Sequence, residues 1–319
     1  MSKYDRKPLP FDGLSTIPIA DRGGKVQIQH MGAPYAPGSG MGAWLDRLPK
    51  ILAADSFRAV IDALRQAKQK KRAILWGMGG HVIKCGLAPV FVDLMDRGYV
   101  SGLVMNGAAS IHDFEIGIAG CTSEDVESVL PDGRFGSAEE TGREMNVAIQ
   151  DAQQKGLGMG EALGERLETL VKPEFAAATL LVQAWRRSIP VTVHVAVGTD
   201  TPHTFPHADG AAIGAGTHRD FQLVCSLVRD LDSGGVYVNV GSAVVLPEVF
   251  LKAVSVVRNL GYRLANFTTV NFDFLQHYRP KMNVVDRPHV NAGGKGYSIT
   301  GHHEIMIPLL AAALAELDA

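Results

Sequence analysis

Five short apolar runs in this chain each stop at a glycine or an aspartate, and helix-length segments separate them. The runs are 73–77, 102–107, 191–197 (stopping at Gly198), 236–240 (at Gly241) and 267–272 (at Asp273). Runs of this length, bounded by backbone breakers, read as buried strands. Apolar residues recur at helical spacing in 44–70, 82–97, 175–187, 217–231, 247–260 and 304–317. Strands alternating with helices then predict an α/β fold with a doubly wound, mostly parallel sheet.

Two segments fall outside this rhythm. Residues 1–43 are rich in Gly, Pro and Met and read as an N-terminal loop or arm. Residues 120–172 show two helical stretches, 139–152 and 161–171, and no strand. They read as a helical insertion within one α/β domain spanning 44–319.

The composition excludes several classes of function. Lys+Arg 31 against Asp+Glu 33 gives 31 − 33 = −2, and no long basic run is present, which argues against a nucleic-acid partner. No segment approaches ~18 consecutive apolar residues, and the first residues lack the apolar core of a signal peptide, so no membrane partner is expected. Cys85, Cys121 and Cys225 are odd in number and widely spaced, which fits a reducing, cytoplasmic location.

In an open parallel sheet, ligands bind beyond the carboxyl ends of the strands. Glycine is concentrated there. The chain has 35 glycines, where an average composition gives roughly 22. Gly77, Gly79, Gly80, Gly107, Gly198 and Gly241 all lie at or just past strand ends. Glycine lets backbone approach a phosphate closely. The polar groups at the same ends are the candidate chemistry. His112-Asp113 follow the second strand, Asp200 and His203 the third, and Glu304 begins the last helix. His203 and His207 stand in a Pro-interrupted segment off any regular helix, so no metal site is expected from their spacing.

The strand-end segments, taken together, resemble a known family. Leu103-Val-Met-Asn-Gly-Ala-Ala-Ser-Ile-His-Asp113 is similar to the LVSTGANLxHD segment of bacterial deoxyhypusine synthase-like proteins. Gly77-Met-Gly-Gly80, Val92 to Val100, Thr199-Asp200, Gly241-Ser242-Ala243, Phe272-Asp273 and Ile307-Pro-Leu-Leu310 follow in the family's order. The resemblance implies a Rossmann-like domain that binds NAD and assembles as a homotetramer. It implies that Gly77, Gly79, Gly80, Asn106, Gly107, Asp200, Gly241, Ser242, Thr269, Asp273 and His302 line the NAD site. In that family an aminobutyl group passes through a lysine imine. No segment matches the family's PDEAxxWGK, and Lys295 and Lys281 are the lysines nearest in sequence.

The reading is an NAD-dependent enzyme that oxidises, or transfers a group from, a small amine-bearing substrate. His112 is the first candidate base, with His203 and Glu304 behind it; Asp113 or Asp200 orients it or holds an ammonium, and Lys295 is the candidate imine lysine. The alternatives are a nucleotide-binding regulatory protein of the same fold, and a metal-dependent hydrolase using His203, His207, His218 and Glu304.

Overall fold

The computed structural model describes residues 3–318. Its centre is a six-stranded, all-parallel sheet. The strands are β1 Ile74–Met78, β2 Gly102–Asn106, β3 Val191–His194, β4 Val236–Val240, β5 Thr268–Asp273 and β6 Lys295–Thr300. Their spatial order is β3-β2-β1-β4-β5-β6. The chain winds outward in one direction from β1 to β3, then returns to β1's other side and winds out to β6. The crevice between β1 and β4, where the direction reverses, is the place such sheets offer to a ligand.

The two faces carry separate apolar layers. Trp76, Leu103, Met105, Val238, Val270 and Phe272 pack with Phe57, Ile61 and Leu64 of helix Leu52–Gln69 and Ile307, Leu310 and Leu314 of helix His303–Leu317. Leu75, Val104 and Tyr237 pack with Val224 and Val228 of helix Gly210–Arg229 and Phe250 and Val254 of helix Val245–Asn259. Successive strand residues point to opposite faces, so each strand feeds both layers, while the buried polar residues Thr192, His194, Asn239, Thr269 and Asn271 also lie within the strands.

Most element boundaries follow the breakers. Pro89 lies at the second position of helix Ala88–Asp96, where no backbone donor is lost. Gly107 does not close β2; it opens helix Gly107–Ala119, capped by the Asn106 side chain, which accepts from Ala109 N at 2.9 Å. The 120–172 segment holds helices Glu139–Lys155 and Met159–Leu170. The second is fixed to the sheet edge: a Cβ on Gly160 would stand 2.2 Å from Val191 O. Residues 3–39 contain only two short 3-10 turns, Ile19–Asp21 and Ile28–His30, and expose Leu9, Phe11, Ile19 and Ile28. Among the described residues, no helix is long and apolar enough to cross a membrane.

Candidate functional site

The carboxyl edge of the sheet brings together two groups of residues. The first surrounds a cavity of about 200 Å³ on the β1–β2–β3 side, lined by Lys84, Ala108, His112, Glu115, Thr199 and Asp200. The segment after helix Gly107–Ala119 closes over it through Ser123, Glu124, Phe135 and Gly136. A Cβ on Gly136 would lie 2.3 Å from Thr201 Cγ2, so this roof sits directly on the turn after β3.

Asp200 is one of three acids lining this cavity, with Glu115 and Glu124. A Cβ on Gly107 would be 2.2–2.5 Å from its carboxylate oxygens, so the glycine is what admits the carboxylate to the start of helix Gly107–Ala119. The positive end of that helix favours the anion. Oδ2 is buried and makes no hydrogen bond. Burial raises the Asp200 carboxyl above its ordinary range, with neighbouring His203 opposing the rise. His203 Nδ1 is likewise buried and without a partner.

His112 is held by a relay. Its Nδ1 lies 2.7 Å from Thr122 Oγ1, and the Thr122 hydroxyl donates to Glu115 Oε2. Thr141 donates to the other Glu115 oxygen at 3.2 Å. Burial alone would raise the Glu115 carboxyl, but His112 first, then the Thr122 and Thr141 hydroxyls, outweigh it and hold it below the ordinary value. The Thr122 proton is committed to Glu115, so Thr122 Oγ1 can only accept from His112. That places the imidazole proton on Nδ1 and leaves the Nε2 lone pair available.

The second group lies over β1, β4, β5 and β6. Backbone meets backbone at the switch point: a Cβ on Gly79 would stand 2.2 Å from Gly241 O. Gly241 has φ +65, a conformation that favours glycine, and lies beneath the His303 ring. His303 Nε2 is 3.1 Å from Phe272 O and 4.0 Å from Asp273 Oδ1, while its Nδ1 is buried without a partner. Burial lowers its basicity, and the Phe272 carbonyl works against that. The His81 and Phe274 rings pack against it, and the His302 ring stacks on Phe274. Ser242 is buried, its Oγ accepting from Leu246 N at 3.3 Å.

The expected residues divide accordingly. Gly79, Gly80, Asn106, Gly107, His112, Asp200, His203, Gly241, Ser242, Asp273, His302 and Glu304 all lie at the carboxyl edge. Five do not serve as expected. Asp113 is fully buried, and both its oxygens accept backbone N–H groups, from Leu180 at 2.8 Å and Leu181 at 2.7 Å. It anchors the start of helix Leu180–Arg186 and faces no cavity. Gly77 faces protein: a Cβ there would lie 2.4 Å from Tyr237 Oη. Thr269 is the second residue of β5, about 13 Å of strand before Asp273; its hydroxyl donates to Val284 O at 2.6 Å. Lys295 is the exposed first residue of β6, at the amino edge of the sheet. Lys281 is ion-paired with Asp286 at 3.0 Å.

The hydrolase set is not assembled. His203 lies in the turn Thr201–Thr204, whereas His218 lines a separate surface depression with Gly156 and Arg219. Among the described residues, no metal-capable cluster contains His203, His207 or His218.

Sequence reasoning missed Lys84, Glu115 and Thr122, which lie off the strand ends by one or more helical turns. It also missed the buried rung in which Asn239 Nδ2 donates to Asn271 Oδ1 at 2.7 Å across β4 and β5. A polar residue inside an apolar strand run was the available signal.

No protein-family model and no curated protein matches this sequence. Solved structures do. An LOR/SDH protein from Methanococcus maripaludis S2 aligns over 85% of this chain and 72% of its own, at 14% identity and a TM-score of 0.52. AgrE in ternary complex with ornithine and NAD+ aligns over 85% of this chain and 35% of its own, at 14% identity and a TM-score of 0.52. This chain therefore spans about a third of AgrE. A protein described as a deoxyhypusine synthase from Entamoeba histolytica aligns over 88% and 95%, at 12% identity and a TM-score of 0.49. The likeness shows the fold: as the sequence resemblance implied, the chain has the doubly wound α/β architecture shared by the LOR/SDH protein and AgrE.

Proposed function

We propose that the protein is an NAD-dependent enzyme that oxidises, or transfers a group from, a small amine-bearing substrate. The observation that carries this reading is the unpaired Asp200 carboxylate oxygen in a cavity shared with His112, beside the switch point of a β3-β2-β1-β4-β5-β6 sheet.

The switch point suits a dinucleotide. Gly79 and Gly241 let the turns after β1 and β4 meet backbone to backbone, and His303, whose Nδ1 has no protein partner, packs on Gly241. These residues, with Ser242, Asp273 and His302, would hold NAD. Asp200 already places a negative charge at the start of helix Gly107–Ala119, so the phosphates belong at the β1–β4 crevice instead. Bound NAD supplies the hydride acceptor.

The cavity suits a cationic amine. Asp200, Glu115 and Glu124 contribute carboxylates against one lysine, Lys84. An ammonium substrate must lose a proton before the carbon beside nitrogen can give up hydride. His112 is the base for it: Nε2 takes the proton, Nδ1–H stays on Thr122, and Glu115 balances the imidazolium charge. The AgrE structure that shares the fold holds ornithine and NAD+, and a basic amino acid or a polyamine is the substrate class proposed here. Three free cysteines fit a cytoplasmic setting. A homotetramer is part of the proposal, and native mass spectrometry tests it.

The test is thermal melting with saturating NAD, followed by nicotinamide reduction with ornithine, arginine and spermidine. The expected result is a raised Tm and amine-dependent absorbance of reduced nicotinamide. No Tm shift with NAD removes the reading. A shift without turnover of any amine leaves the nucleotide-binding regulatory protein in its place.

A further inference from the structure

The residues around the β1 turn hold a second constellation that the amine chemistry does not use. His81 and Cys85 are one helical turn apart, joined by Cys85 N donating to His81 O at 2.9 Å. An i, i+4 pair projects from one side of a turn. Glu304, near the start of helix His303–Leu317, completes the group: its Oε2 lies 3.5 Å from Cys85 Sγ. One ligand atom from each of the three residues falls within 4.8 Å of the others.

We propose that His81, Cys85 and Glu304 form a binding site for a zinc-class divalent metal ion. The donor set is one imidazole nitrogen, one sulfur and one carboxylate oxygen. Zinc accepts that mixture at about 2.0–2.3 Å, which puts tetrahedral ligands roughly 3.3–3.8 Å apart. The Cys85–Glu304 pair already meets that spacing. No other separation exceeds 4.8 Å, so side-chain rotation has to close at most about 1.5 Å. The mixture of soft and hard donors selects a borderline ion over Mg²⁺ or Ca²⁺, which take oxygen only.

The surroundings define the kind of site. The His81 ring stands edge-on to His303, 5.3 Å between centroids, and 6.0 Å from Phe274, so one side of it is packed. His302 Nδ1 lies 3.9 Å from Glu304 Oε1 on the solvent side. His81 and Glu304 are exposed and Cys85 is half-buried. Three protein donors with an open outer side match the pattern that leaves a fourth position to water or to a donor atom of a bound molecule. Metal binding balances as loss of the thiol proton to solvent and formation of one metal–sulfur bond. The site adjoins His302 and His303, and its test reads metal binding alone, without NAD or amine.

The test uses full-length protein with its affinity tag removed and metals stripped by a chelator. Co²⁺ is titrated in, and Zn²⁺ then competes for the same site. One equivalent of Co²⁺ should produce a sulfur-to-cobalt charge-transfer band with d–d absorption of tetrahedral intensity. Cys85→Ser should abolish the charge-transfer band and weaken Zn²⁺ affinity at least ~100-fold, beyond the cost of losing an outer partner. His81→Ala and Glu304→Gln should each weaken it at least ~10-fold, and His218→Ala should not. The metal-free variants must match the wild type by circular dichroism. Absence of the band in wild-type protein, or Zn²⁺ affinity retained in Cys85→Ser, would overturn the proposal.

Discussion

The Asp200 carboxylate occupies the space that a side chain on Gly107 would fill, 2.2–2.5 Å from the position of its Cβ. One residue follows β2 and the other follows β3, and their contact brings an acid to the start of a thirteen-residue helix. The glycine at this strand end thus makes room for a protein group, and the ligand meets the carboxylate. Gly107→Ala should push Asp200 aside. The expected result is a destabilisation of about 1–3 kcal/mol, typical of overpacking, with amine binding lost and NAD binding retained. Urea unfolding together with calorimetric titration of each ligand checks it.

Asp200→Asn separates charge from shape. The amide keeps the volume beside Gly107 but cannot pair with an ammonium. A hydrogen bond to a charged group is worth about 1.5–3 kcal/mol, so KM for the amine should rise roughly 10–150-fold. The Tm shift with NAD alone should not change. A fall in NAD affinity with unchanged amine KM would move Asp200 to the nucleotide's ribose instead.

The His112–Thr122–Glu115 relay predicts a graded loss. His112→Gln removes the base and should lower kcat at least ~100-fold. Thr122→Val keeps the imidazole but frees its tautomer, so the loss should be smaller and confined to kcat. Equal kcat values for wild type and Thr122→Val would show that the relay only fills space.

The position of the lysines gives an equally direct expectation. Lys295 begins β6 at the amino edge and Lys281 is paired with Asp286, so alanine at either position should leave turnover at the wild-type level. Lys84 is the lysine in the cavity lining. If an imine forms with an oxidised amine, borohydride should trap it on the peptide carrying Lys84. An adduct on the Lys295 peptide would show that the cavity assigned here is not the reaction site.

The strands were legible because a buried parallel sheet writes itself as short, mainly apolar runs with breakers at the ends. Every run expected as a strand is one, and their carboxyl ends do carry His112, Asp200 and Gly241. The roles were less legible. His112-Asp113 reads as a proton-transfer pair, yet adjacent residues on a helix point about 100° apart. His112 therefore meets Thr122, while Asp113 turns inward to Leu180 and Leu181. Lys295 failed for a topological reason: Gly-Gly-Lys-Gly leads into β6 and so falls at the wrong edge. Gly77 failed because the residue that fills its space, Tyr237, is on a strand 160 positions later.

Two buried carboxylates away from the cavity set a pH dependence of stability. Asp220 Oδ2 accepts from Gly160 N at 2.9 Å and Val193 N at 2.8 Å, tying helix Met159–Leu170 to β3. Its Oδ1 is buried without a partner, against Gly158. Burial pushes the Asp220 carboxyl up to about 7 despite those backbone donors, and burial does the same to Asp113. In the unfolded chain both carboxyls release their protons near 3.8. Between these values the folded protein binds more protons than the unfolded one, so stability must fall as pH rises. The contribution is complete below about pH 4 and lost by about pH 7. Wild-type protein should show a urea midpoint that declines from pH 5 to pH 8 once other groups are accounted for. Asp220→Asn carries no ionisable proton, and its amide oxygen can still accept from Gly160 and Val193. It should flatten the decline by an amount on the order of 2–4 kcal/mol. An unchanged slope in Asp220→Asn would mean that Asp220 stays ionised across this range, held so by its two backbone donors.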